Sequence, residues 1–125
     1  MFNARKDTKF VVMDCTNLEY IDNCFDTVVD TFGLQSSNDY KKQYEEMKRV
    51  CKVGGKILIL EMGESLWLST NYKIINSAFE EFRTRGQHLY RNWDTLILND
   101  PSVRVIKHKR KMNGSLYYYE IEKLY

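Results

Sequence analysis

Apolar positions in this chain follow two periods, one of strands and one of helices. Phe10-Val11-Val12-Met13 is a near-continuous apolar run of the kind buried parallel strands show, and it predicts a strand over Lys9–Met13 that ends at Asp14. Cys15 to Asn23 is turn-rich, with Asn17, Asp22 and Asn23. Thr27, Val28, Val29 and Thr31 are β-branched and predict a second strand over Asp26–Phe32 on a pleated, buried surface. Ser36-Ser37-Asn38-Asp39 then offers several N-cap side chains for a helix running to about Lys52. Within it Tyr40, Tyr44, Met47, Val50 and Cys51 recur at intervals of three and four and make one apolar stripe. Glu45 and Arg49 are spaced for an ion pair along its polar face. Gly54 and Gly55 are expected to stop the helix. Ile57–Leu60, the most apolar stretch, is expected to be a central third strand.

Leu68, Tyr72, Ile75, Phe79 and Phe82 keep a helical period over Ser65–Arg85, and Gly86 is a natural terminator. Asn92-Trp93-Asp94 to Leu98 predicts a short further helix closed by Asp100-Pro101. The last segment reads as a hairpin, Val103–Met112 and Ser115–Lys123 around Asn113-Gly114, because both turn positions need positive φ. No repeat or linker interrupts the pattern, so a single α/β domain over residues 1–125 is expected.

Composition narrows the class. With 43% hydrophobic and 29% charged residues the chain is an ordinary globular one, and a net charge of +2 points neither to nucleic acid nor to a membrane surface. No apolar run approaches the ~18 residues of a membrane span, and the first residues are too polar for a signal peptide. Cys15, Cys24 and Cys51 have no paired spacing, which argues against a zinc site or a disulfide framework and for a reducing, intracellular setting, cytoplasmic or mitochondrial. The one basic run, Arg104 to Lys111, could bind phosphate groups, although lysines on a strand at a sheet's edge more usually block aggregation.

The motifs, in order, carry a resemblance. Met13-Asp14-Cys15 through Leu18, then Asn23-Cys24-Phe25-Asp26, looks like the pattern D-x-x-x-L-P-F-x-D-x-x-F-D. Thr31-Phe32-Gly33-Leu34 and Glu46 through Lys56 continue it without gaps, although Glu19-Tyr20 stands where Pro-Phe is usual and Val53 replaces a proline. The chain thereby resembles the class I S-adenosylmethionine (SAM) methyltransferases of the type-11, UbiE-like group. That resemblance implies an incomplete Rossmann-like sheet, equivalent to the family's third through seventh strands, with a closing antiparallel hairpin whose basic strand lies at the outer edge. It implies direct methyl transfer from SAM to a small-molecule acceptor, with no metal.

By resemblance Asp14 accepts from the adenine amino group and the Cys15 N–H meets a ring nitrogen. Asp30, Thr31 and Phe32 would bring carbonyls to the methionine amine and an apolar wall to the cofactor. Asp14 also reads as a plain turn residue, and Thr31 and Phe32 as core. His88 and Trp93 lie where relatives place substrate-facing groups. No catalytic residue is identified. The family's glycine-rich G-x-G-x-G turn is absent, since Gly54-Gly55 sits between a helix and a strand. A fragment or truncated form of such an enzyme is therefore expected, with an unpaired sheet edge open to oligomerisation. The alternative is a non-catalytic remnant that binds a protein partner through that edge.

Overall fold

A computed structural model of the protein describes residues 7–63, 91–112 and 114–125. Strand β1 (Phe25–Thr31) leads into a short helix α1 (Gly33–Ser36) and an amphipathic helix α2 (Tyr40–Val50). Strand β2 (Cys51–Met62), helix α3 (Trp93–Ile97) and the hairpin strands β3 (Val103–Lys111) and β4 (Leu116–Lys123) follow. The sheet is 4-stranded in the order β1-β2-β4-β3, with β1 parallel to β2 and β4 antiparallel to both its neighbours. The hairpin, the outer position of the basic strand and the central position of Ile57–Leu60 are as the sequence predicts. The region Ser65–Arg85 and the turn residue Asn113 lie outside the described residues.

One face of the sheet holds the core. Ile57 and Ile59 of β2, with Tyr117, Tyr119 and Ile121 of β4, pack against Leu34, Tyr44, Met47, Trp93 and Ile97. The α2 stripe falls where its period puts it, with Tyr44, Met47 and Val50 buried. Asp39 caps this helix, its side chain accepting from the Lys42 N–H at 3.2 Å. Arg49 does not pair with Glu45. It turns to Glu46 (2.7 Å) and Asp22 (2.8 Å), and donates to the Leu18 and Tyr20 carbonyls. Glu45 pairs with Lys48 instead.

Three expectations are corrected. Lys9–Met13 is not a strand, and Phe10, Val11 and Val12 are 73, 59 and 103% exposed. Apolar character alone does not make a strand; a ladder partner is needed, and no described strand pairs with this segment. Asp26–Phe32 does form a strand, but on an edge with mostly exposed side chains, Val29 at 63%. Finally, Gly54-Gly55 does not end the helix. Cys51 is already extended, and the glycines belong to an irregularity in which Phe25–Thr27 of β1 faces Cys51–Lys56 of β2. Gly54 sits at φ +78°, which is where a glycine is required.

Candidate functional site

The residues singled out in the sequence gather at the carboxyl ends of the parallel pair β1 and β2, where open α/β sheets generally place ligands. Here β1 gives way to α1 through Phe32, a non-glycine residue at φ 59°. Phe32 keeps one ladder bond, its N–H donating to the Leu60 carbonyl at 2.9 Å. The chain then turns so that three successive amides meet carboxylates. The Gly33 N–H donates to Asp30 Oδ1 (3.2 Å), and Leu34 and Gln35 donate to Glu61 Oε1 and Oε2 (2.8 and 3.3 Å). Gly33 is needed for this approach, because a Cβ there would lie 2.6 Å from Asp30 Oδ1.

Two carboxyl groups are thus buried side by side on neighbouring strands, Asp30 at 7% and Glu61 at 0% exposure. Burial, then the hydrogen bond and charge of Asp30, push Glu61 up to about 9, against the opposing pull of the two amides. Asp30 Oδ2 and Gln35 Oε1 are buried with no partner among the described residues. The Glu61 and Asp30 carboxyl groups lie within hydrogen-bond reach of one another.

The loop before β1 is fastened to α2 beside this end. The Cys15 thiol donates to Gln43 Oε1 (3.3 Å), and the Gln43 amide lies close to Gly33. Glu46 accepts from the Leu18 N–H at 2.8 Å while Arg49 holds the loop's carbonyls. Asp14 is exposed, and its Oδ1 accepts from the Thr16 N–H and hydroxyl (2.9 and 2.7 Å). Those bonds, the hydroxyl's first, hold its carboxyl below the usual range, so it is a charged acceptor at neutral pH.

The structure therefore brings Cys15, Asp30, Thr31 and Phe32 to one end of the sheet, with Asp14 adjoining Cys15. His88 lies outside the described residues. Trp93, expected to face substrate, is instead fully buried. Its indole N–H donates to the Met62 carbonyl (2.9 Å), and its ring meets Tyr40 edge-on at 5.4 Å. Arg91 lies over the Tyr40 ring at 4.1 Å and donates to the Leu34 carbonyl at 2.8 Å. The aromatic and cationic groups near α3 thus brace the turn from behind. Sequence reading missed Glu61 and Arg91. The signal for Glu61 was the alternation Ile57, Ile59, Glu61, which continues the buried face through an acid.

The architecture is that of SAM-dependent methyltransferases. The chain superposes on one from Methanosarcina mazei with a TM-score of 0.62 at 20% identity, covering 93% of this chain and 67% of that one. A second, from Aquifex aeolicus, gives 0.59 at 20% identity, over 93% of this chain and 55% of that one. The sequence is more specific. It matches the ubiE/COQ5 methyltransferase family over residues 1–86, and the chain belongs to that family. It is 46% identical over 57 residues to a demethylmenaquinone methyltransferase of Renibacterium salmoninarum, covering 46% of this chain and 24% of the relative. A demethylmenaquinone methyltransferase of Paenarthrobacter aurescens is 41% identical over 84 residues, 65% of this chain and 33% of that one. The chain thus spans about a quarter to a third of the length of these curated relatives. No helix among the described residues is long and apolar enough to cross a membrane.

Proposed function

We propose that the protein works in methyl transfer from SAM to a small-molecule acceptor of the quinone class named for its relatives. The observation that supports this best is that the family match over residues 1–86 contains the whole Asp14-to-Phe32 constellation at the carboxyl end of β1. Bound SAM supplies an electrophilic methyl on a sulfonium. The residues present suit its cationic and donor groups: Asp14 is an exposed acceptor for the adenine amino group. The backbone carbonyls of Asp30, Thr31 and Phe32, at the end of β1, would meet the methionine amine. The exposed Phe32 ring provides an apolar wall, and the chain's part is orientation and exclusion of water.

The test is equilibrium binding of SAM and S-adenosylhomocysteine to the protein at its native length. Micromolar or tighter affinity is expected, and Asp14→Ala should weaken it by ~1–3 kcal/mol, the worth of a charged hydrogen bond. Unchanged affinity in that variant removes Asp14 from the site. A second reading, a non-catalytic module that takes a partner strand, is favoured by the outer edge of β1, unpaired among the described residues, and its exposed Val29 and Phe25. It predicts no SAM affinity and an association that sedimentation shows to rise with concentration.

A further inference from the structure

We propose that Asp30 and Glu61 hold one proton between them and form a latch that fixes the Thr31–Gln35 turn, so that the pair's protonation sets cofactor affinity. This deepens the SAM-binding reading and rests on it for the affinity part alone.

The geometry makes the case. Glu61 is fully buried at the carboxyl end of β2 and does not reach solvent. Its oxygens are occupied by the Leu34 and Gln35 amides, and Asp30 Oδ1 by the Gly33 amide. These bonds hold the three residues that follow Phe32, and Phe32 is the strained corner at φ 59°. A left-handed phenylalanine persists only where its surroundings over-determine it, and the carboxyl pair supplies that determination. Asp30 Oδ2 has no partner among the described residues, and the two carboxyl groups lie within hydrogen-bond reach, where a proton on Glu61 would serve. Two ionised carboxylates in one buried space would repel and would leave that oxygen orphaned; one shared proton removes both costs.

The other described groups around the pair leave this arrangement intact. Tyr117 of β4 stands opposite Glu61 in the ladder, with the Arg110 guanidinium 4.3 Å over its ring. Arg91, from the segment before α3, reaches the turn through the Leu34 carbonyl. On α1 and α2 the neighbours are the neutral Gln35 and Gln43. Glu61 and Asp30 are positioning residues here, acting through the turn and not on the methyl group.

The experiment uses the protein at its native length, first without ligand. At neutral pH the infrared spectrum should show a protonated-carboxyl stretch that is lost in both Glu61→Gln and Asp30→Asn, since each variant offers its neighbour an amide donor and needs no proton. The Leu34 and Gln35 amide resonances should shift together as pH rises through about 9 in the wild type and stay put in Glu61→Gln. S-adenosylhomocysteine affinity should then fall at least tenfold across the same interval in the wild type, and stay level in Glu61→Gln. A missing protonated-carboxyl band, or a Glu61→Gln variant that keeps the wild-type pH response, overturns the latch. Absence of binding beside intact amide titration overturns the cofactor reading instead and leaves the proton-sharing turn established.

Discussion

The sheet buries charge at both ends, and the two ends do it in opposite ways. At the carboxyl end of β1 and β2, Asp30 and Glu61 are like groups with an oxygen left over. Against the other end of the hairpin, Lys48 and Asp100 are opposite charges 2.8 Å apart, each side chain only about a tenth exposed (11 and 10%). There every oxygen is used. Asp100 Oδ2 accepts from Lys48 and from the Tyr44 hydroxyl (both 2.8 Å), and Oδ1 from the Ser102 N–H and hydroxyl (2.9 and 2.6 Å). Burial raises the Asp100 carboxyl, but the Lys48, Ser102 and Tyr44 bonds outweigh it and hold the group down to about 2. A fully satisfied ion pair ties α2 to the segment leading into β3. An under-satisfied pair of carboxyl groups at the carboxyl end of β1 and β2 is the arrangement that has a proton to give up.

The largest effect expected is at the satisfied end. Asp100→Ala leaves Lys48 with the mostly exposed Glu45 as its charged partner beside the neutral Ser102 hydroxyl, and leaves the Tyr44 hydroxyl without its acceptor. It should cost about 3 kcal/mol of stability, read from the urea midpoint, as breaking a buried pair from one side does. A loss under ~1 kcal/mol would mean that the cluster is solvated and the contrast between the two ends is false.

Acid and alkali should separate the two ends. Asp100 has a folded value of about 2 against an ordinary 3.8, so its contribution is complete above the ordinary value and is lost as pH falls through about 2. Glu61 has a folded value of about 9 against an ordinary 4.5. Between those two values the folded state holds a proton that the unfolded state has released, so this contribution is complete below 4.5 and declines as pH rises to about 9. Denaturation midpoints measured from pH 2 to 10 should therefore fall at both limits. Asp100→Asn should flatten the acid limb alone and Glu61→Gln the alkaline limb alone. A single variant that flattens both would show that the ends are coupled.

Much of this was legible in the sequence, and the misses share one cause. The α2 stripe, the apolar β2 and the Asn-Gly hairpin depend on local period and turn chemistry, which single residues report. Lys9–Met13 was misread because strand formation is a property of pairs of segments, and its apolar run says nothing about where a partner lies. Gly54-Gly55 was misread because a positive φ serves a helix end and a strand irregularity equally well. Asp30, Thr31 and Phe32 could be named as neighbours because they are contiguous. Glu61 could not, since its partners are 26 and 27 residues away in sequence. Nor does any residue-level signal announce that a phenylalanine will be left-handed.

That left-handed corner gives the smallest and sharpest prediction. Phe32 is 38% exposed, so removing its ring costs part of a phenylalanine's burial whichever small residue replaces it. Ala and Gly then differ only in backbone. At an ordinary site Ala is the better of the two by about 0.4–1 kcal/mol, because glycine's unfolded chain has more freedom to lose. At φ 59° the order should reverse, since an L residue pays roughly 1–2 kcal/mol there and glycine does not. Phe32→Gly should thus exceed Phe32→Ala in stability by about 1 kcal/mol in urea titrations. Repeating the pair of substitutions in Glu61→Gln sharpens the comparison. If the carboxyl latch is what imposes the strained corner, the advantage of glycine persists at neutral pH in both backgrounds and shrinks above pH 9 only where Glu61 is present. An advantage that ignores both pH and Glu61 would place the cause of the strain in the Leu60 ladder bond instead.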